Sequence, residues 1–434
     1  MKKKSLDEIN GSVNVPTVYE SAFWQKFLAY SGPGALVVVG YMDPGNWLTS
    51  LAGGGQYGYT LLSVLFVSII VAMIMQSLSI RLGVVTRTDL AQAIAQRVPK
   101  PVRIGLWLLN ELAMMATDLT GVVGTSIALY LLFHLPLIVG VFLTVADVLV
   151  VLVFLRFGIR RVEFIVLTTI LVVGAIFTIE VCRAHPSWLA ILNGIIPQSK
   201  IITNHSELLL SLGIIGATIM PHNIYLHSAL AQSRRYDEHD PAQVIETLKF
   251  ANWDSIIHLI AALIVNALLL ILSGTLFFHT ASLNSLADVF YGLKNPQIVG
   301  TLSSPVMSWL FGFALLITGL ISSITSTLAG QIVMEGYINI RLPLWKRRLL
   351  TRFVTLIPIV IIGCLIRFNE QQFEQSIIYA QIILSIALPF TLFPLVVITS
   401  DQKLMRKHAS PLWQTIIEYA LVLLLTGLNL SALF

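Results

Sequence analysis

The chain has 434 residues, 56% hydrophobic and only 11% charged, with a mean hydropathy of +0.83 and a net charge of +5. A soluble domain carries about 25% charged residues, so this composition excludes a large soluble enzyme, along with disordered, collagen-like and coiled-coil chains, and makes lipid the main solvent. The basic excess fits the cytoplasmic loops of a membrane protein better than nucleic-acid binding.

The first two dozen residues are polar and lack an apolar core followed by a small-residue cleavage site, so no cleaved signal peptide is expected. About 20 apolar residues cross a bilayer. Eleven stretches qualify, near 27–52, 59–82, 104–132, 136–156, 161–182, 207–230, 254–278, 305–330, 350–367, 376–399 and 412–432. The longer gaps, 183–206 and 279–304, are expected as external loops with short helical pieces. With the N-terminus inside, 23 of the 27 Lys and Arg fall on the inner side. Only Arg183, Lys200, Lys294 and Arg367 stay outside. This asymmetry predicts a plasma-membrane protein with cytoplasmic N-terminus and external C-terminus. Cys182 and Cys364 form no C-x-x-C pattern, so neither a disulfide framework nor a thiolate metal site is expected.

Two spans differ from the rest. The first contains Gly40-Tyr41-Met42-Asp43-Pro44-Gly45-Asn46-Trp47 at mid-span, and the sixth contains Ala217-Thr218-Ile219-Met220-Pro221-His222-Asn223. A proline removes a backbone donor and clashes with the preceding turn, so both spans are expected to be broken, with Gly53-Gly54-Gly55 ending the second half of the first. Non-helical backbone at that depth survives only where protein or a cavity satisfies it. Interruptions at corresponding positions of two halves mark the substrate site of a secondary transporter. Spans one and six correspond if the fold is two five-helix repeats, the second inverted because five is odd. The expected organisation is a cytoplasmic segment 1–26, a repeat 27–182, an external loop 183–206, a second repeat 207–400, and a cytoplasmic loop with an eleventh helix at 401–434.

Asp43 is a carboxylate near the bilayer middle, where an unpaired charge costs about 2.5–3.5 kcal/mol on insertion scales. Asn46 offers an amide oxygen, Met220 a thioether, and carbonyls near Gly40 and Ala217 are freed by the breaks. One soft sulfur among oxygens suits a divalent transition metal better than Mg²⁺ or Ca²⁺. A lone intramembrane Met is more often packing than ligand, so Met220 counts through its place beside the second break. His222 and His227 are five apart, not the i, i+4 pair of a zinc site. His222 is a candidate proton carrier, whereas His227 reads as a packed, hydrogen-bonded side chain.

The third span carries Glu111 and Asp118, seven residues apart and so on one helical face. Arg352 opens the ninth span as a partner for one of them or as a structural ion pair. Asp147, in the fourth span, needs a partner. Glu163 beside Arg160 and Arg161 reads as an interfacial pair, and Asp254 as an acid at a helix N-terminus. Gln381 in the tenth span either reaches the site or bridges helices.

Met42-Asp43-Pro44-Gly45-Asn46 together with Met220-Pro221-His222-Asn223 resembles the Nramp family of divalent metal transporters, whose bacterial members are MntH-type proton-coupled manganese transporters. The resemblance runs from Gly32-Pro33-Gly34 to Leu388-Pro389-Phe390. It implies an all-α, leucine-transporter-type fold, alternating access, and import of Mn²⁺ and Fe²⁺ with protons. By the same matching, Asp43, Asn46 and Met220 bind metal through side chains, carbonyls of Gly40 and Ala217 contribute, and Gln381 approaches the ion. Glu111, Asp118, His222 and Arg352 match positions tied to proton movement. One position departs: where the family's third span usually reads Asp-Leu-Ala-Glu, this chain has Asp118-Leu119-Thr120-Gly121. An acid is therefore missing from the proton network, while the metal ligands are untouched. Metal and proton are cargo, and no resident cofactor, nucleic acid or obligate protein partner is implied.

The rival readings are an amino-acid or other cation transporter of the same fold, a loosely coupled metal uniporter, a channel, and an intramembrane enzyme. Asp43 would repel an amino-acid carboxylate. An enzyme needs a nucleophile with a base or a His-rich metal set, and neither is present in the sequence. A channel has no need of two symmetric hinges.

Overall fold

In the computed structural model, residues 10–16, 22–146, 149, 159–278, 285–299 and 303–431 are described, and nearly all of their regular structure is helical. The main helices are α1 (Pro33–Val38), α2 (Pro44–Tyr57), α3 (Leu62–Thr86), α4 (Lys100–Phe133), α5 (Ile159–Ala184) and α6 (His205–Thr218), followed by α7 (Pro221–Leu230), α8 (Pro241–Leu276), α9 (Pro305–Ile338), α10 (Leu344–Leu365), α11 (Glu370–Ser400) and α12 (Leu412–Ser431). Among the described residues, nine helical stretches are long and apolar enough to cross a membrane, with α6 and α7 counted together. Two shorter apolar pieces, Pro33–Met42 and Leu137–Ala146, fall within the expected first and fourth spans. Asp147 and Arg156 lie outside the described residues.

Both expected breaks are present, and in both the proline starts a new helix. After α1 the chain tightens into a 3-10 turn at Val39–Met42, becomes extended at Asp43 (φ −69°, ψ 165°), and restarts as α2 with Pro44 in its first turn. In the sixth span α6 ends at Thr218, Met220 is extended (φ −74°, ψ 127°), and Pro221 opens α7. Proline suits the first helical turn, where its missing N–H is unpaired anyway. Two boundaries differ from expectation. Gly53-Gly54-Gly55 does not end α2, which runs on to Tyr57. Gly54 serves packing instead: a Cβ there would meet the Leu270 carbonyl oxygen at 2.2 Å. The seventh span begins at Pro241, not near Asp254, so Asp254 sits within α8.

Asp254 does cap a helix, but a different one. It accepts from the backbone N–H groups of Gly32 (3.1 Å) and Gly34 (2.7 Å) and from the Ser31 hydroxyl (2.9 Å), which holds the start of α1 against α8. The same segment is gripped by α5. Glu163 accepts from Arg234 at 2.9 Å and from Arg160 at 3.0 Å, and Arg234 also donates to the Ser31 carbonyl at 2.6 Å. Gly32 has φ +140°, a conformation that favours glycine, and a Cβ there would strike the Glu163 carboxylate. Glu163 thus makes the expected pair with Arg160 and, being buried, also joins Arg234 to it. Below it, Val13–Asn14 forms a short parallel bridge with Arg234–Arg235.

Candidate metal centre

The two breaks face each other at the centre of the bundle. Asp43 is the N-cap of α2, its Oδ1 accepting from the Asn46 backbone N–H at 2.8 Å. The Asn46 side-chain amide donates to the same oxygen at 2.8 Å and to the Gly40 carbonyl at 3.0 Å. The Thr120 hydroxyl of α4 donates to Oδ2 at 3.1 Å. From the other break, Asn223 approaches the Met220 sulfur at 3.7 Å and presses on Gly40, where a Cβ would lie 2.5 Å from the Asn223 amide. Gln381 of α11 lies against Gly45 so closely that a Cβ there would overlap its amide nitrogen, and a Cβ on Gly216 would meet the Gln381 carbonyl at 2.1 Å. Asp43, Asn46, Ala217, Met220 and Gln381 are all at most 2% exposed.

The freed carbonyls follow from arithmetic. A helical carbonyl accepts from the N–H four residues on. For Gly40 that residue is Pro44, and for Ala217 it is Pro221, so neither carbonyl has a helical donor. Polar atoms without partners concentrate here as well: both amide atoms of Gln381, Asn223 Oδ1, Thr218 Oγ1 and His222 Nε2 are buried and unbonded. Buried polar groups are normally satisfied, so their clustering at the two breaks marks a place for a ligand. Among the described residues, no three His, Cys, Asp or Glu side chains come together to hold a metal. The donor set here is one carboxylate, amides, carbonyls and a thioether.

A polar path leads away along α4. His222 Nδ1 lies 3.3 Å from the Thr117 hydroxyl, and Thr120 donates to the Thr117 carbonyl at 2.7 Å as well as to Asp43. Asp118, next in sequence, accepts from Arg348 at 2.6 Å and from Ser326 at 2.7 Å. Glu111 accepts from Arg347 at 2.9 Å and from the Trp107 indole at 3.1 Å. The contacts between α10 and α4 involve more than Arg352. Arg352 is buried within electrostatic range of Asp118, but the direct hydrogen-bonded partners are Arg348 for Asp118 and Arg347 for Glu111. All three arginines share the first turns of α10, and the register of that helix against α4 selects among them. The sequence reading also missed Thr117, Thr120, Ser326 and Asn223. Thr117 and Thr120 flank Asp118 in the motif, so spacing alone could have raised them. His227 bonds to Gln76 at 2.8 Å, in keeping with a packing role. At Gly121 a Cβ would meet nothing within 4 Å, so the position has room for a side chain.

Residues 34–434 match the family described as natural resistance-associated macrophage protein-like, Nramp. The chain belongs to the Nramp family. It is 48% identical to a protein named divalent metal cation transporter MntH from Levilactobacillus brevis, across 99% of this chain and 93% of that one. A protein of the same name from Staphylococcus saprophyticus is 48% identical over 98% and 96% of the two chains. A crystal structure of a manganese transporter from Eremococcus coleocola superposes with a TM-score of 0.91 at 42% identity, over 98% of this chain and 90% of that one. A nucleobase-cation-symport-1 family transporter superposes with a TM-score of 0.57 at 13% identity, which extends the shared fold beyond Nramp proteins.

Proposed function

We propose that this protein imports divalent transition metal ions, Mn²⁺ first and Fe²⁺ next, together with protons, by alternating access across the plasma membrane. The observation that carries the reading is that the break holding Asp43 and the Gly40 carbonyl packs against the break holding Met220 and the Ala217 carbonyl, with all four residues buried. The names of its Nramp relatives support the metal. Asp43, Asn46 and Met220 hold the ion through side chains, Gly40 and Ala217 through carbonyls, and Gln381 closes over it. A half-turn of the Asn46 amide brings its oxygen toward the ion in place of the nitrogen that now donates to Asp43. The metal thus replaces hydrogen bonds already directed at the same atoms. The soft sulfur favours Mn²⁺ and Fe²⁺ over Mg²⁺ and Ca²⁺.

The proton leaves by a separate route. His222 and Asp118 lie either side of Thr117, and Glu111 lies two turns toward the Arg347 end of α4. Arg347, Arg348 and Arg352 set the charge against which these acids work. With Gly121 in place of an acid, metal and proton fluxes are less tightly linked than is usual for the family. The basic loops orient the Arg234 end toward the cytoplasm and the Tyr57 end outward. The five-helix repeats at 27–182 and 207–400 move as the two-fold-related halves of the cycle.

The deciding experiment is Mn²⁺ uptake into proteoliposomes with internal pH recorded at the same time. An inward pH gradient should drive accumulation, and Mn²⁺ entry should acidify the lumen. Equilibration without accumulation would indicate a channel, and uptake of labelled amino acid in place of Mn²⁺ would indicate the rival cargo.

A further inference from the structure

Three aromatic side chains form a plug one turn along α2 from Asp43. Trp47 of α2, Phe177 of α5 and Phe311 of α9 pack with ring centroids 4.9 to 6.4 Å apart. Helices α5 and α9 run antiparallel here. Phe177 meets Phe311, whereas Ile170, seven residues earlier, lines a small void with Thr318 and Ile321, seven to ten residues later. Moving outward therefore means counting up on α5 and down on α9. One turn beyond the plug, roughly 4.5 Å of rise, these helices carry Glu180 and Ser308.

Both side chains are buried, Glu180 at 4% and Ser308 at 0% exposure. Neither Glu180 carboxylate oxygen has a hydrogen-bond partner, and neither does the Ser308 hydroxyl nor the Trp47 indole N–H. Packing does not account for this. A buried carboxyl with both oxygens unbonded is costly, and Gln or Leu at this position would pack as well. Glu180, Ser308 and Trp47 thus bring three buried, unpartnered groups from three helices to within one turn of the same aromatic cluster, where buried polar groups are normally satisfied.

We infer that these groups frame a chamber that is a second cation position, where an incoming divalent ion is held by Glu180 and Ser308, still carrying water, before the plug opens to the Asp43 site. Its donors are hard oxygens only. Such a set does not discriminate by softness, so Ca²⁺ and Mg²⁺ occupy it along with Mn²⁺, and selection is left to the thioether of Met220. The Trp47 N–H donates to a water of the ion or to the Glu180 carboxylate and couples occupancy of the chamber to the plug. The inference rests on the orientation and cargo proposed above.

The test is Mn²⁺ uptake by full-length protein in proteoliposomes, for wild type, Glu180→Gln, Glu180→Asp and Ser308→Ala, with and without millimolar external Ca²⁺. Glu180→Gln is expected to raise the half-saturating Mn²⁺ concentration five- to twenty-fold with the maximal rate kept within two-fold, and to abolish competition by Ca²⁺. Glu180→Asp should restore part of the affinity, and Ser308→Ala should shift it about two- to three-fold. Calorimetry of Mn²⁺ binding to Asp43→Asn should retain a weak site that the added Glu180→Gln removes. Unchanged half-saturation and unchanged Ca²⁺ competition in Glu180→Gln would overturn the chamber while leaving the Asp43 reading intact. A lower maximal rate at unaltered half-saturation, with an unfolding temperature lowered in Glu180→Gln, would make Glu180 structural and equally overturn it. Loss of uptake in wild type would instead fail the transport reading itself.

Discussion

Asp43→Asn separates two duties of one side chain. Asp43 caps α2 through the Asn46 N–H, and in the proposed function it also supplies the negative charge facing the ion. Asn caps a helix about as well as Asp, and its oxygen can still accept from that N–H, so the substitution keeps the fold of the break and removes only the charge. Two unit charges 4 Å apart at an effective dielectric of 20 interact by about 4 kcal/mol, and a divalent ion doubles this to about 8 kcal/mol. Asp43 is fully buried, so screening by water does not shrink the figure. Even if the amide oxygen and rearranged carbonyls recover half, about 4 kcal/mol is lost, which is about a thousand-fold in affinity. The assay is Mn²⁺ uptake in proteoliposomes with calorimetric binding on the same preparation, and Asp43→Ala as the companion that also loses the cap, at a cost of about 1 kcal/mol in stability. Asp43→Asn should unfold at the wild-type temperature and show uptake near background. Half-saturation within ten-fold of wild type would refute the argument and move the site elsewhere.

Met220→Ala replaces a soft ligand by space that water fills, so Ca²⁺ and Mg²⁺ should compete several-fold better against Mn²⁺ in uptake. Unchanged Cd²⁺ and Mn²⁺ affinity would count against the thioether. Asp118→Asn removes the charge opposite Arg348 in a buried pair and should destabilise by about 3–5 kcal/mol, with much of the loss restored in Asp118→Asn/Arg348→Met. Thermal unfolding in detergent reads this, and an unchanged midpoint in the single variant would deny the pair a structural role. Gly121→Glu enters open space, so it should express and fold normally and raise the number of protons moved per Mn²⁺. Ratios equal to wild type at all pH values would take position 121 out of the proton network.

The sequence by itself determined nine of the eleven expected spans as they stand among the described residues, the two breaks, and the donor set proposed for the ion. Hydropathy is a local property that lipid reads directly, and a proline acts within one turn of where it stands. Pro44 and Pro221 therefore announce both the interruptions and, by counting back four residues, the carbonyls of Gly40 and Ala217 that they free. Asp43 and Met220 are legible for the same reason, since each sits on its own break. Partnerships between helices were not legible. Arg347, Arg348 and Arg352 fall within two turns of one helix, and only the register of α10 against α4, more than 200 residues away in sequence, pairs the first two with Glu111 and Asp118. Asp254 looked like the cap of its own helix, and the fold uses it to cap α1 instead. Glu180 and Ser308, 128 positions apart, each stand one turn from a ring of the same aromatic cluster because α5 and α9 lie antiparallel beside it. Side chains on separate helices meet only after packing fixes the offset along the axes, and in lipid that offset is set by close contacts such as Gly45 and Gly216 on Gln381, to which no single span carries the key.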